Sequence, residues 1–218
     1  MEAVIHKALN YWFTAKPVCL NWWYNQIGIP KTLGTVFILF EKQLTPVEKQ
    51  NAITVMENAK FGMTGQNKVW LAGNVMMRAL LQNDYELVKM ARDTIASEIV
   101  TGGAEGIKDD WCFHQHGAQQ QFGNYGLSFV SGMSFFSGLF SGTSLAFDDK
   151  QLSILSTLID KGYRWVIWKG MMDVNALGRQ LFHHAPVHKA LSLAFAASEL
   201  GGGESDECVA VATALLRD

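Results

Sequence analysis

Apolar residues recur at helical spacing along nearly the whole chain, and the polar stretches between them are long in only three places. Val4, Ile5, Ala8, Leu9 and Trp12 form one stripe of the kind a half-buried helix presents. Thr45-Pro46-Val47-Glu48 predicts a capping box: the threonine hydroxyl accepts from the third backbone N–H and the glutamate reaches back, with proline at the first helical position. Ala52, Ile53, Met56 and Ala59 continue its buried face. Asn83 or Asp84 can cap the next helix, whose Val88, Ala91, Ile95 and Ile99 turn inward. Asp148 and Asp149 open another, with Leu152, Leu155, Leu158 and Ile159 on one side. A last helix is predicted beyond Gly201-Gly202-Gly203, from Glu204 to Leu216. Strand-like alternation is scarce, and Tyr163 to Trp168 is the one short run that could pair.

Helices of about fifteen residues joined by polar, glycine-containing loops imply an all-α protein of stacked antiparallel helical hairpins. The long loops run from Phe61 to Asn67, Thr101 to Asn124 and Lys169 to His184, and are expected to gather at one end of the helix array. No strict repeat is visible, which disfavours a regular solenoid.

Composition narrows the function. With 49% hydrophobic and 17% charged residues among 218, the chain is globular, with ample material for a core. A net charge of −2 and no Lys/Arg cluster argue against a nucleic-acid partner. Cys19, Cys112 and Cys208 are odd in number and far apart, so neither a disulfide framework nor a zinc–thiolate site is expected. The start, MEAVIHKALNYWF, is not a signal peptide, and no apolar run reaches membrane-spanning length, so no membrane role is expected. The small-and-aromatic run Ser131–Ser144 fits close helix packing.

The segment from Asp109 to Gly126, DDWCFHQHGAQQQFGNYG, stands out. Its polar groups would need many partners in a packed interior, so it reads as a loop feeding a helix, with His116 and Tyr125 on a glycine-punctuated backbone. That is the pattern of an active-site segment, one residue suited to charge neutralisation and the other to proton transfer. Other polar features read plainly. His6 and His114 are structural or exposed, and the Asp109–Asp110 pair is a solvated loop. His184 and His188 have metal-ligand spacing but no third ligand nearby, so no metal is expected. The Trp22–Trp23 pair beside Asn21 is a candidate surface for stacking on sugar rings.

Four segments stand in order: NWWYNQIGIPKTL (Asn21–Leu33), TGQNKVW (Thr64–Trp70), HQHGAQQQFGNYG (His114–Gly126) and LGR (Leu177–Arg179). This ordered set resembles the catalytic helical domain of the family 8 polysaccharide lyases, the hyaluronate, chondroitin AC and xanthan lyases. The resemblance runs from about Asn10 to about Gly203 and keeps the family's nine-residue interval between His116 and Tyr125.

The resemblance implies an incomplete (α/α) toroid and β-elimination on an acidic, uronate-containing polysaccharide, without metal or other cofactor. The hydrogen at C5 of a uronic acid becomes removable when the adjacent carboxylate is neutralised by hydrogen bonds in a dry site. By motif match, Asn67 donates to that carboxylate with help from His116. Tyr125 takes the proton and returns it to the departing glycosidic oxygen. A phenol with a reference pKa of about 10 needs a nearby cation for this, and Arg179 matches the family's arginine in that role. Trp22, Trp23 and Phe61 match the aromatic patch that positions the sugar chain, with Asn21 as a hydrogen-bonding neighbour. Where the family commonly has a second arginine, this chain has His183, placed here with the substrate-binding residues.

By the same resemblance, residues 1–218 are a single helical catalytic domain, the central part of a larger lyase. β-sandwich domains that close the cleft would follow Asp218. Extracellular or periplasmic location is implied in the same way. A non-catalytic carbohydrate-binding helical module is the alternative reading, and a glycoside hydrolase a weaker third. The particular polymer, endo or exo action and oligomeric state are not encoded in any motif.

Overall fold

The computed structural model describes residues 2–201; the helix expected over 204–216 lies outside the described residues. Among the described residues the backbone is all-α apart from two minimal hairpins, and the chain divides into two compact units, residues 1–63 with 70–95, and residues 64–69 with 96–218.

The first unit holds α1 (Glu2–Ala15), α2 (Ile29–Leu39), α3 (Pro46–Met56), most of α4 (Gly65–Gln82) and nearly all of α5 (Tyr85–Ala96). Its core joins Leu9, Phe13, Phe37, Ala52, Met56 and Leu81, each less than a tenth exposed. The buried stripe of α1 is rotated from the predicted one. Val4 and Ala8 face solvent, while Leu9 and Phe13 are buried and Ile5 and Trp12 are half-buried. Phe13 stacks on Phe37, and that tertiary contact selects which apolar flank faces inward.

The capping box of α3 forms as predicted. The Thr45 hydroxyl accepts from Glu48 N (3.2 Å), and the Thr45 N–H donates to Glu48 Oε2 (2.9 Å). Asp84, not Asn83, caps α5, accepting from Leu87 N at 3.0 Å. Asn83 adopts φ +55° just past the end of α4, the left-handed position where Asn follows Gly in preference. Val88, Ala91, Ile95 and Ile99 are buried as expected.

The second unit contains α6 (Leu127–Phe140), α7 (Asp149–Thr157) and α8 (Ala185–Gly201). The small residues of α6 do allow close packing, since Ser134 Oγ donates to Ala196 O on α8 at 2.9 Å in the buried interior. Asp148 caps α7 in a second capping box, completed by Gln151. Leu155, Leu158 and Ile159 are fully buried behind it. The strand expected over 163–168 is shorter. Tyr163–Val166 is a 3-10 turn, and only β3 (Ile167–Trp168) pairs, antiparallel to β4 (Met171–Met172). An earlier hairpin, Gly106–Ile107 (β1) with Phe113–His114 (β2), was not predicted, because two-residue strands carry no periodicity.

Candidate active site

Four pieces of the second unit converge: the start of α4, the His116 turn, the turn entering α6 and the loop before α8. The 109–126 segment is more buried than its composition predicts. Phe113, Gln115, Gln121, Phe122, Gly123, Tyr125 and Gly126 are all less than a tenth exposed or classed with the core. Its polar groups are accommodated because backbone and side-chain amides are paired. Gln115 N donates to Gln119 O (3.1 Å), Gln121 N to Phe113 O (2.8 Å), and Gln66 N to Gln115 Oε1 (2.9 Å).

Tyr125 sits in a single turn of π-helix, Phe122–Gly126, that runs directly into α6. Gly126 N reaches back to Gln121 O at 2.9 Å to close it. Two glycines let this turn approach its neighbours. A Cβ on Gly123 would lie 2.7 Å from Leu177 Cα and 2.8 Å from Ala176 O. Beyond them, Gly178 at φ +71° turns the chain so that Arg179 points back to the tyrosine.

The result is a three-residue cluster. The Tyr125 hydroxyl lies 3.0 Å from His116 Nε2, and Arg179 Nη2 donates to the same oxygen at 3.0 Å. The His116 ring meets the tyrosine ring edge-on at 4.9 Å, and the guanidinium carbon lies 5.6 Å from the tyrosine ring centroid. Tyr125 is 7% exposed, whereas His116 and Arg179 reach solvent, so the phenol is presented from a buried base. His116 itself has φ +58° and is followed by Gly117 at φ +73°. A non-glycine residue in that region is uncommon and is held only by its surroundings.

Glu105 does much of that holding. Its carboxylate accepts from Gly117 N (3.0 Å), from Thr64 Oγ1 (2.6 Å) and from the Gln115 side-chain amide. The same Gln115 amide donates to Thr64 O at 3.3 Å. Glu105 and Gln115 therefore tie the residues beside His116 to those beside Asn67, and neither stood out in sequence. The start of α4 is secured from its other side, where Glu98 accepts from Gly65 N (2.8 Å) and pairs with Lys68 (2.9 Å).

Asn67 lies in the first turn of α4, which begins at Gly65. It is 5% exposed, and its Oδ1 and both polar atoms of the Gln66 amide are buried without a hydrogen-bond partner among the described residues. His183 is exposed and its ring lies 3.7 Å from that of His184. His184 precedes α8 at φ +60° instead of lying on it, and its ring is 6.4 Å from that of His188. Among the described residues no group of three His, Cys, Asp or Glu is placed to hold a metal ion, and no helix is long and apolar enough to cross a membrane. The two histidines read as structural differ. His6 bonds Glu48 at 2.9 Å, and His114 Nδ1 is buried without a partner among the described residues.

The aromatic candidates belong to the first unit. Trp22 is 42% exposed and Phe61 37% exposed, so both rings have a free face. Trp23 is half-buried, edge-on to Trp70 (5.5 Å) and Tyr24 (5.3 Å), and fits against Gly28. Asn21 Oδ1 accepts from Trp23 N at 3.0 Å, which spends that oxygen on shaping the turn. Trp70, with Lys31 Nζ 5.6 Å from its ring centroid, extends this aromatic surface and was not singled out from sequence.

Residues 1–198 match the family model described as polysaccharide lyase family 8, N-terminal alpha-helical domain. The chain belongs to that family. Chondroitinase-AC of Pedobacter heparinus is 31% identical over 180 residues, covering 80% of this chain and 26% of its own length. Xanthan lyase of Bacillus sp. is 27% identical over 178 residues, covering 79% and 19%. Among solved structures, a Paenibacillus xanthan lyase superposes with a TM-score of 0.84 at 24% identity, over 98% of this chain and 21% of that one. A chondroitinase AC lyase, described from enzyme–oligosaccharide complexes and mutagenesis, superposes at 0.83 with 26% identity, over 97% and 32%. The all-α, helical-toroid fold class expected from the sequence is borne out by this family match and these similarities. The chain spans about a quarter of the length of the first of these relatives and about a fifth of the second.

Proposed function

We propose that this chain is the helical part of a polysaccharide lyase that cleaves uronate-containing polysaccharide by β-elimination. The observation that carries the reading is the Tyr125 hydroxyl, met at 3.0 Å by both His116 Nε2 and Arg179 Nη2. A phenol oxygen with a ring nitrogen on one side and a guanidinium N–H on the other has a route for its proton and a donor for its negative charge.

In this mechanism the Tyr125 oxygen removes the proton from C5 of the uronate, and electrons move onto the carboxyl group. The Asn67 amide and His116 bond to that carboxylate and hold the developing charge. The C4–O bond then breaks, Tyr125 returns a proton to the leaving glycosidic oxygen, and a C4–C5 double bond remains on the new end. Asn67 suits its part because its amide is pre-placed in the first turn of a helix, one residue from a backbone bond to the His116 turn. Trp22, Trp23 and Phe61 stack on sugar faces, with Asn21 and His183 as polar contacts. The residue roles, an acidic polysaccharide as partner, residues 1–218 as one catalytic domain of a longer lyase, and an extracellular or periplasmic setting all belong to this proposal.

The test is an ultraviolet absorbance assay for the unsaturated uronide, with hyaluronan, chondroitin and xanthan offered in parallel. A rising signal that Tyr125→Phe reduces by at least about 10³-fold, with saccharide affinity within a few-fold of the parent, is the expected outcome. Saccharide binding without any double-bond product, also when the chain is extended through the β domains that the resemblance implies, would favour the non-catalytic binding module. Products that gain water without a double bond would favour a glycoside hydrolase.

A further inference from the structure

One buried charge in the second unit has no part in that chemistry. Lys189 lies on α8, is 4% exposed, and is the lysine most completely removed from solvent among the described residues. Lysine is rarely buried, because stripping water from an ammonium is costly unless its donors are satisfied. Here Nζ donates to the backbone carbonyl of Gly123, and to that of Leu177 at 2.8 Å, with the Phe182 ring centroid 5.9 Å away.

Those two carbonyls are not arbitrary. Gly123 lies two residues before Tyr125 in the π-turn, and Leu177 two residues before Arg179 in the loop that delivers the guanidinium. The two backbones already meet closely: a Cβ on Gly123 would press on Leu177 Cα, and one on Gly178 would come within 2.9 Å of Asn124 Cβ. Two carbonyls facing one another across such a junction repel, and a cation between them turns the repulsion into attraction.

We propose that Lys189 is a positioning residue that sets Tyr125 against Arg179 by bridging the Gly123 and Leu177 carbonyls. The inference rests on the lyase reading for its consequence in catalysis, but its geometric content stands apart from it. Burial pulls the Lys189 ammonium below the ordinary lysine range.

The experiment uses the full chain with tyrosines carbon-13 labelled at Cζ, the Tyr125 resonance being assigned by its loss in Tyr125→Phe. Arg179→Gln marks where that resonance falls when the guanidinium contact is gone. In Lys189→Met the resonance is expected to move toward the Arg179→Gln position, and in Lys189→Arg, which keeps a cation and its donors, to stay near the parent. Where the chain turns over polymer, Lys189→Met should lower kcat by about 10- to 100-fold with KM changed less than threefold, the pattern of a misplaced reactive group. An unmoved Tyr125 resonance in a folded Lys189→Met overturns the proposal. Should that variant fail to fold, Lys189→Gln replaces it, and collapse of both would also overturn it by making Lys189 a general strut. Absence of turnover in the unaltered chain bears on the lyase activity of this part alone and leaves the resonance comparison to decide Lys189.

Discussion

Tyr125, His116 and Arg179 each have a commonplace explanation when taken singly: a core tyrosine, a surface imidazole, a solvated guanidinium. Their 3.0 Å contacts remove that explanation, because two such groups meeting on one phenol oxygen need a left-handed backbone at His116 and at Gly178. Asn67 is buried, and its amide oxygen has no partner among the described residues, while the amide N–H₂ is the group that would donate to the substrate carboxylate. Asn67→Asp would set a negative charge against the substrate carboxylate. We expect kcat/KM to fall by at least about 10²-fold, read by the unsaturated-uronide assay, and the melting temperature to fall with it, because the new carboxylate is buried. Gly123→Ala should act differently, since its Cβ would strike backbone atoms that cannot give way. The expected loss is about 1–3 kcal/mol in chemical denaturation, with activity lost alongside.

Among the elements, α3 shows how a cap becomes a tertiary joint. Glu48 closes the capping box and also bonds His6 on α1 at 2.9 Å and Asn10 at 3.3 Å, with its side chain 4% exposed. Burial pushes its carboxyl up, but the Thr45 backbone N–H, His6 and the Thr45 hydroxyl together outweigh that and hold it below the ordinary carboxylate range. A carboxyl depressed on folding stabilises the fold fully above its unfolded pKa of about 4.3, and that contribution disappears as pH falls through the lower folded value. Glu48→Gln should therefore cost about 1–3 kcal/mol at neutral pH, and the gap from the parent should close below about pH 4 in urea titrations. The caps at Thr45 and Asp148 were legible because four residues of local sequence contain the whole interaction. The buried flank of α1 was not, because Val4 and Ala8 are as apolar as the residues chosen over them, and the choice is made by Phe37 on another helix. The hairpin Gly106–His114 escaped notice for the related reason that its pairing is short and its partner lies six residues away.

For the whole molecule, charge is the informative quantity. A chain of net charge −2 has no long-range pull on a polyanion, so recognition must come from a few placed groups and aromatic faces. Saccharide affinity measured by calorimetry should fall less than about tenfold between roughly 50 and 200 mM salt, against the about 10³–10⁵-fold loss seen when many phosphates are neutralised. The reactive cluster and the aromatic surface fall in different compact units, residues 64–69 with 96–218 carrying the one and residues 1–63 with 70–95 the other. Sequence by itself determined the all-α class, the starts of α3 and α7, the family and the order of the motif segments, because periodicity, caps and motif spacing are properties of neighbouring residues. Only the tertiary structure decided that Glu105 and Gln115 brace the His116 turn, that Lys189 joins the Gly123 and Leu177 backbones, and that Asn21 closes its own turn. Each of those depends on a hydrogen bond whose direction is fixed by how the chain packs. A glutamate, a glutamine or a lysine looks the same in sequence whether its partner is water or a buried carbonyl.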